Sequence, residues 1–340
     1  GTALPTVQIL DNQFFIPGLN TTRRIWVCLP PDYQTNTSQH YPVVYMQDGQ
    51  NLFDTQRAFL GQEWKVDETM KELFESGDSG AIVVGIENGG SSRIAEYTPW
   101  ENSSYESGRG GAYASFIAEY LKPYVDSTFR TLPEPEFNAV MGSSLGGLIS
   151  LYTVLQYPNV FARAGVFSPA YWINKEDLFA WEGLNNAPGI WVYQLVGNRE
   201  SASMVSDMEQ MHELLVEKGI DDIYSLVVPG ASHNEQFWAS VYGQVYTWLF
   251  RMRLTKIAET VQSASFLVYP SPFSTGFTVR RPLNDKLNIQ IYDMTGRCVM
   301  QTDLGVGENR LDTSLPAGIY MIQAADSNGK RWMRRIVCRP

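Results

Sequence analysis

The segment Gly142-Ser143-Ser144-Leu145-Gly146 sets a serine between two glycines at the offsets needed by a nucleophile on a sharp strand-to-helix turn. A serine hydroxyl attacks a carbonyl only when a base takes its proton and N–H donors receive the charge that develops on oxygen. Ser144 has glycine at both offsets and is the expected nucleophile; Ser143 fills the free position between. Leu145 opens the following helix, so its N–H is the expected first oxyanion donor, at an end whose dipole favours negative charge. The chain has three histidines, which makes elimination informative. His40 lies beside the polar run Thr35–Gln39 and reads as a surface residue. His212 falls in the helical pattern Met208–Leu215, without the second histidine four residues on that a zinc protease needs. His233 follows the last apolar run through Pro229-Gly230-Ala231-Ser232 and precedes a helix, where a base reaches a serine above the same sheet edge. The acid that orients it is expected after the penultimate strand. Glu200, in Gly197-Asn198-Arg199-Glu200, is favoured over Asp207, which falls inside the next helical pattern. The order Ser144, Glu200, His233 is that of α/β-hydrolases. Gln50, after Asp48-Gly49, is the expected second oxyanion donor, though Asp48-Gly49 also reads as a simple tight turn.

These residues need a sheet beneath them. Apolar, β-rich runs occur at 24–29, 43–46, 81–86, 137–141, 164–167, 190–195 and 223–228. Several are continuous rather than alternating, as expected of central parallel strands covered on both faces. Helical patterns separate them: Tyr113, Phe116, Ile117, Tyr120 and Leu121 form one apolar stripe, and Phe237, Trp238, Val241, Tyr242, Val245 and Leu249 another. Residues 88–111 are polar, Gly-rich and dotted with aromatics, with no period; they read as a long functional loop at the carboxyl edge of the sheet. Near residue 260 the helical patterns stop, and short strands alternate with turns at 294–296, 305–307 and 327–329. The expectation is an α/β chain: an α/β-hydrolase fold with a mostly parallel central sheet over residues 1–262, then a small all-β sandwich over 263–340.

Composition narrows the chemistry further. The formal net charge of -10 leaves no basic surplus for a nucleic-acid partner, and no apolar run is long enough to span a membrane. Residues 265–340 hold ten Lys/Arg and six Asp/Glu, so the tail carries +4 and the remainder -14. The three cysteines, Cys28, Cys298 and Cys338, make no zinc spacing and no disulfide framework; Cys28 reads as a buried apolar residue, while Cys298 and Cys338 could pair if their strands are neighbours. No metal or cofactor is called for. The sequence begins at Gly1 without an initiator methionine or signal peptide, leaving open whether a leader preceded it.

With these residues in hand, positions 1–260 resemble the esterase family that includes esterase D, feruloyl and acetyl-xylan esterases, enterochelin esterases and mycolyltransferases. The resemblance rests on Val44-Tyr45-Met46-Gln47-Asp48-Gly49-Gln50-Asn51-Leu52-Phe53, the 142–147 elbow, Phe167-Ser168-Pro169-Ala170-Tyr171-Trp172, His233-Asn234-Glu235 with Trp238, and Asn88-Gly89-Gly90 with Arg93 and Glu96–Trp100. It implies ester hydrolysis on small-molecule or carbohydrate-linked esters, with Gln50 as loop donor and Glu200 as acid. Tyr97, Trp100, Tyr171, Trp172 and Trp238 are candidates for a substrate pocket, although core packing explains them equally well. The tail resembles the C-terminal sorting domains of type IX secretion, through Val268-Tyr269-Pro270-Ser271-Pro272-Phe273, 291–297 and Leu315-Pro316-Ala317-Gly318-Ile319-Tyr320. That resemblance implies engagement of the type IX machinery and export to the exterior of a Gram-negative outer membrane. An acyltransferase on the same residues, or a non-catalytic surface or adhesion protein, are the alternatives; a lipase is disfavoured because the 88–111 segment lacks an apolar face.

Overall fold

Strands form where β-branched and aromatic residues run without interruption, and the runs that are apolar on both faces become the centre of the sheet. A computed structural model of the chain describes residues 1–185, 189–220 and 222–250, and in the C-terminal region 267–269, 275–280, 287–293, 297–305, 308–326 and 331–338. Two compact units divide it, Gly1–Arg251 and Met252–Pro340. The expected boundary after residue 262 lies outside the described residues, as do positions 270–273 of the first tail motif and the turns expected at 294–296 and 327–329.

The first unit holds eight strands: β1 (Val7–Ile16), β2 (Thr21–Cys28), β3 (Val43–Gln47), β4 (Ile82–Ile86), β5 (Asn138–Ser143), β6 (Arg163–Phe167), β7 (Trp191–Gly197) and β8 (Asp222–Val228). They lie in the order β1-β2-β4-β3-β5-β6-β7-β8. β1, β2 and β4 pair antiparallel, and every pairing from β4 through β8 is parallel. β3 to β7 are buried along their whole length, matching their unbroken apolar sequence. The fold is that of an α/β hydrolase. β1 escapes the sequence reading because Asp11-Asn12-Gln13 interrupts its apolar run, its register shifts twice and one side of this edge strand faces water. Cys28, in β2, is buried, and burial together with Asp67 and Glu68 pushes its thiol up to about 12. It is a small apolar residue here, as expected.

Two helical expectations need correction. The segment 88–111 is not structureless: it forms a 3-10 turn (Gly90–Ser92), a helix (Arg93–Tyr97) and the start of a second helix at Gly110, and its Ala95–Thr98 stretch is buried. A buried ion pair from Glu96 to Arg23 of β2 holds it down, a contact between distant residues that local periodicity cannot reveal. In the helical run that follows, Tyr113, Phe116, Ile117 and Leu121 are buried, whereas Tyr120 is exposed. Residues 116–121 form a π turn, whose wider i→i+5 spacing rotates Tyr120 off the stripe.

The second unit consists of two antiparallel sheets: β9 (Leu267–Tyr269), β10 (Gly276–Arg280) and β13 (Glu308–Asp312) in one, and β11 (Leu287–Tyr292), β12 (Cys298–Leu304), β14 (Gly318–Asp326) and β15 (Arg331–Cys338) in the other. Phe277, Val279 and Leu311 of the first share a core with Ile289, Ile291, Ile322 and Ile336 of the second. Cys298 and Cys338 form no disulfide, because β12 and β15 are separated by β11 and β14. Cys298 is exposed, and the buried Cys338 thiol donates instead to the Leu315 carbonyl at 3.2 Å.

Candidate active site

The parallel strands deliver their loops to one edge. β5 ends at Ser143, and Ser144 turns with φ 58° and ψ -120° into the helix Leu145–Gln156. Only a forced turn holds a non-glycine residue there, and such strain is concentrated at functional sites. The flanking glycines make it possible: a Cβ on Gly142 would lie 2.7 Å from the Gly146 carbonyl oxygen, and one on Gly146 would lie 3.1 Å from Gln47 Cβ. The Ser144 N–H donates to the Phe167 carbonyl (2.9 Å), and its own carbonyl accepts from Gly147, Leu148 and Ala170. Within the buried stretch 139–151, Ser144 is the residue with partial exposure.

The loops after β7 and β8 are stapled together. Asn198 and Arg199 N–H groups donate to the carbonyls of Val228 and Ala231, at 3.0 Å each, and Gly230 N–H donates to Asn198 Oδ1 at 2.8 Å. Gly197 allows the approach, since a Cβ there would lie 2.2 Å from the Ala231 carbonyl oxygen. The result brings Glu200 Oε2 to 2.8 Å from His233 Nδ1. The Glu200 side chain is 1% exposed and the His233 ring 37%. Asp207 lies elsewhere, buried in an ion pair with Lys175 at 2.6 Å. His40 is exposed, and His212 Nδ1 meets Ser225 Oγ at 2.8 Å, away from this edge.

Sequence reasoning passed over Ser168 except as part of a family motif. It follows β6 with φ 44° and is fully buried. Its hydroxyl donates to Glu200 Oε1 at 2.7 Å and accepts from Trp238 Nε1 at 2.9 Å, while Gly197 N–H donates to the same Glu200 oxygen at 2.7 Å. The indole fixes the direction of the serine proton: an oxygen accepting from Trp238 is left to donate to Glu200. Trp238 also lies edge-on to His233, with centroids 5.0 Å apart, and Trp64 packs against both Trp238 and Phe167. One signal was available, since Phe167-Ser168-Pro169 ends a strand at the same edge as the elbow.

Across from the elbow, Gly49–Asn51 forms a 3-10 turn after Asp48, whose φ is 56°. Asp48 is gripped by Arg93 through two bonds (2.6 and 2.8 Å) and by Asn88 Nδ2 (2.7 Å), and its N–H donates to Tyr97 Oη at 3.2 Å. Burial opposes the charge on Arg93, but the Asp48 carboxylate outweighs it and holds the guanidinium above its ordinary pKa. Gly49 lies flat on β4, where a Cβ would come within 2.6 Å of the Gly85 carbonyl carbon. Among the described residues, neither Leu145 N–H nor Gln50 N–H donates to a backbone carbonyl. Gln50 Oε1 accepts from Asn88 N–H at 3.2 Å. Of the five pocket aromatics, Tyr97 and Tyr171 are fully buried and Trp238 nearly so; Trp100 packs half-buried on Tyr152 and Trp181. Trp172 is the exposed one.

The fold has known counterparts. Residues 16–243 match the family described as "Putative esterase". The chain belongs to that esterase family. It is 30% identical over 245 residues to the uncharacterized protein YbbA of Bacillus subtilis, across 67% of this chain and 92% of the relative. Among solved structures, the BES protein of Bacillus cereus superposes with a TM-score of 0.60 at 23% identity, covering 73% of this chain and 96% of its own. A ferulic acid esterase superposes with a TM-score of 0.56 at 18% identity, covering 73% and 99%. These two likenesses establish the fold, and the family match places this esterase-family member among the carboxylic-ester hydrolases. Residues 267–339 match the secretion system C-terminal sorting domain, which addresses the chain through type IX secretion to the cell surface or beyond. No helix among the described residues is long and apolar enough to cross a membrane.

Proposed function

We propose that the protein is an exported serine esterase that works through Ser144, His233 and Glu200 and an acyl-enzyme. The observation that carries this reading is the 2.8 Å contact from His233 Nδ1 to a carboxylate that is 1% exposed, on loops at the same carboxyl edge of the parallel strands as the strained Ser144 turn. Glu200 accepts a hydrogen bond from Nδ1–H, which keeps the proton on Nδ1 and leaves Nε2 as the basic nitrogen of the ring. Nε2 removes the Ser144 proton as Oγ bonds to the ester carbonyl carbon. The carbonyl oxygen then carries a full negative charge, received by the N–H groups of Leu145 and Gln50. Collapse breaks the bond to the alcohol, which leaves with the proton from His233. Water repeats the steps, releasing the carboxylic acid and restoring Ser144. Ser168 acts as a positioning residue, holding Glu200 from the side opposite His233. Acetyl or feruloyl esters of carbohydrates are the first substrates to try; feruloyl esters come to mind through the ferulic acid esterase whose fold this chain shares.

Ser144→Ala is expected to lose turnover of a short p-nitrophenyl ester by at least about 10³-fold. It should also lose covalent labelling by a fluorophosphonate, with its melting temperature unchanged. Undiminished turnover or labelling in that variant would refute the mechanism.

A further inference from the structure

Among the tryptophans whose exposure is described, Trp172 stands out at 49%, while the others are buried or half-buried. Tyr105, 43% exposed, faces it with ring centroids 6.2 Å apart and planes at 68°. Phe15, Phe59, Tyr120 and Tyr124 are exposed as well, but Tyr105 and Trp172 are exposed large aromatics that pack on one another, at a corner next to the loop that meets the elbow.

The corner is rigidly mounted on the catalytic edge. Trp172 lies in the 3-10 turn Tyr171–Asn174, two residues after Ala170, whose N–H donates to the Ser144 carbonyl at 3.0 Å. Two residues of chain reach about 7 Å at most, so the Trp172 backbone is tethered close to the elbow. Tyr171 Oη donates to Gln194 Oε1 at 3.0 Å, anchoring the turn below. Asn102 Nδ2 donates to the Ile173 carbonyl (2.6 Å) and Asn174 Nδ2 to the Trp100 carbonyl (3.1 Å), clamping the Tyr105 loop to the same turn. Within that loop Tyr105 N–H donates to the Asn102 carbonyl, and Ser107 Oγ donates to the Tyr105 carbonyl at 2.9 Å. The cations of the flanking elements, Arg93 and Lys175, are already paired with Asp48 and Asp207. Arg109, at the end of the Tyr105 loop, donates to the Leu19 carbonyl at 3.1 Å, and the exposed Glu101 and Glu106 of that loop disfavour an anionic group, so the corner offers its rings to an uncharged one.

Resting on the esterase reading above, we propose that Tyr105 and Trp172 receive the apolar face of an uncharged ring in the ester substrate and so determine specificity. The ring sits on the acyl side if it is aromatic, or on the alcohol side if it is a sugar. Both present a flat, C–H-bearing or π face that stacks on an indole.

The test uses the full chain and three esters: methyl cinnamate, with its ring on the acyl side; xylose tetraacetate, with its ring on the alcohol side; and methyl butyrate, which has none. Turnover is followed by pH-stat. Trp172→Ala and Tyr105→Ala are each expected to lower the ratio of kcat/KM for a ring-bearing ester to that for methyl butyrate by about five- to tenfold, mainly through KM. Trp172→Phe should keep most of the ratio. Tyr120→Ala, which removes an exposed aromatic from the helical run 110–128, should leave it at the wild-type value. A fall confined to the cinnamate assigns an aromatic acyl group, and one confined to the acetate assigns a sugar. Unchanged ratios for both esters in both alanine variants overturn the proposal. Binding of the same esters to Ser144→Ala protein, by isothermal titration, reads the corner without turnover. Weaker binding after adding Trp172→Ala there supports the corner even if no ester is cleaved, an outcome that would count against the hydrolase reading alone.

Discussion

The Glu200 carboxylate is held at both oxygens: His233, Ser168 and the Gly197 N–H share them. Hydrogen bonds of that number freeze its direction, which is what a base-orienting acid requires. Asp207 offers no such arrangement, since Lys175 occupies it. Glu200→Gln is therefore expected to lower kcat by roughly 10²–10⁴-fold, and Asp207→Asn by less than about threefold. The reverse ranking would move the acid to Asp207. Ser168→Ala should reduce kcat more than it raises KM, because Glu200, relieved of one donor, no longer holds the His233 ring in a single direction. An unchanged kcat in a variant with a lowered melting temperature would mean that Ser168 serves packing alone.

At the scale of elements, the proposed oxyanion side of the site depends on a turn pressed between two others. Asp48 and Gly49 are clamped from one side by Asn88, Arg93 and Tyr97, and Gly49 rests on the backbone of β4. Gly146 fits the elbow helix against the same turn, with Asp48 Oδ2 3.2 Å from where its Cβ would be. A methyl group at Gly49 has nowhere to go without lifting the turn. Gly49→Ala is thus expected to cost about 1–3 kcal/mol of stability by overpacking and to lower kcat by roughly 10²–10³-fold if Gln50 N–H receives the oxyanion. Thermal melting and steady-state kinetics on the same protein check both halves. Wild-type kcat in a destabilised variant would remove Gln50 from the mechanism.

At the scale of the molecule, the two units have separate cores, and the larger one carries a buried acid outside the site. The first residues run over a set of carboxylates: Thr2 N–H donates to Asp54 (3.2 Å), Thr2 Oγ1 to Glu63 (2.9 Å) and Leu4 N–H to Asp67 Oδ2 (2.7 Å). Burial, and then the neighbouring Glu68, push the Asp67 carboxyl up to about 7. Its folded pKa is raised above the unfolded value, so the stability it contributes is complete below about pH 4 and is lost as pH rises through about 7. Asp67→Asn should flatten this decline while keeping an acceptor for Leu4. Melting curves from pH 4 to 8 test this, and parallel profiles for the two proteins would discount Asp67 as the source.

Local patterns settled much of this molecule in advance. The apolar runs at 43–46, 82–86 and 139–141, and the 190–195 run broken only by Gln194, called for cover on both faces and so read as central parallel strands, with the elbow following one of them. Once Ser144 was located, three histidines and one short acidic turn left few partners to weigh. What sequence could not supply were contacts between residues far apart in the chain. The Arg23–Glu96 pair that orders the 88–111 segment, the Trp238–Ser168–Glu200 hydrogen bonds and the Tyr105–Trp172 corner each join side chains from different loops. Periodicity reports which face of an element is apolar, but the partner across the gap is chosen by packing of the whole sheet and its loops. For the same reason Tyr97 and Tyr171, legible as aromatics near the site, proved to be core, and only the folded chain distinguished them from Trp172.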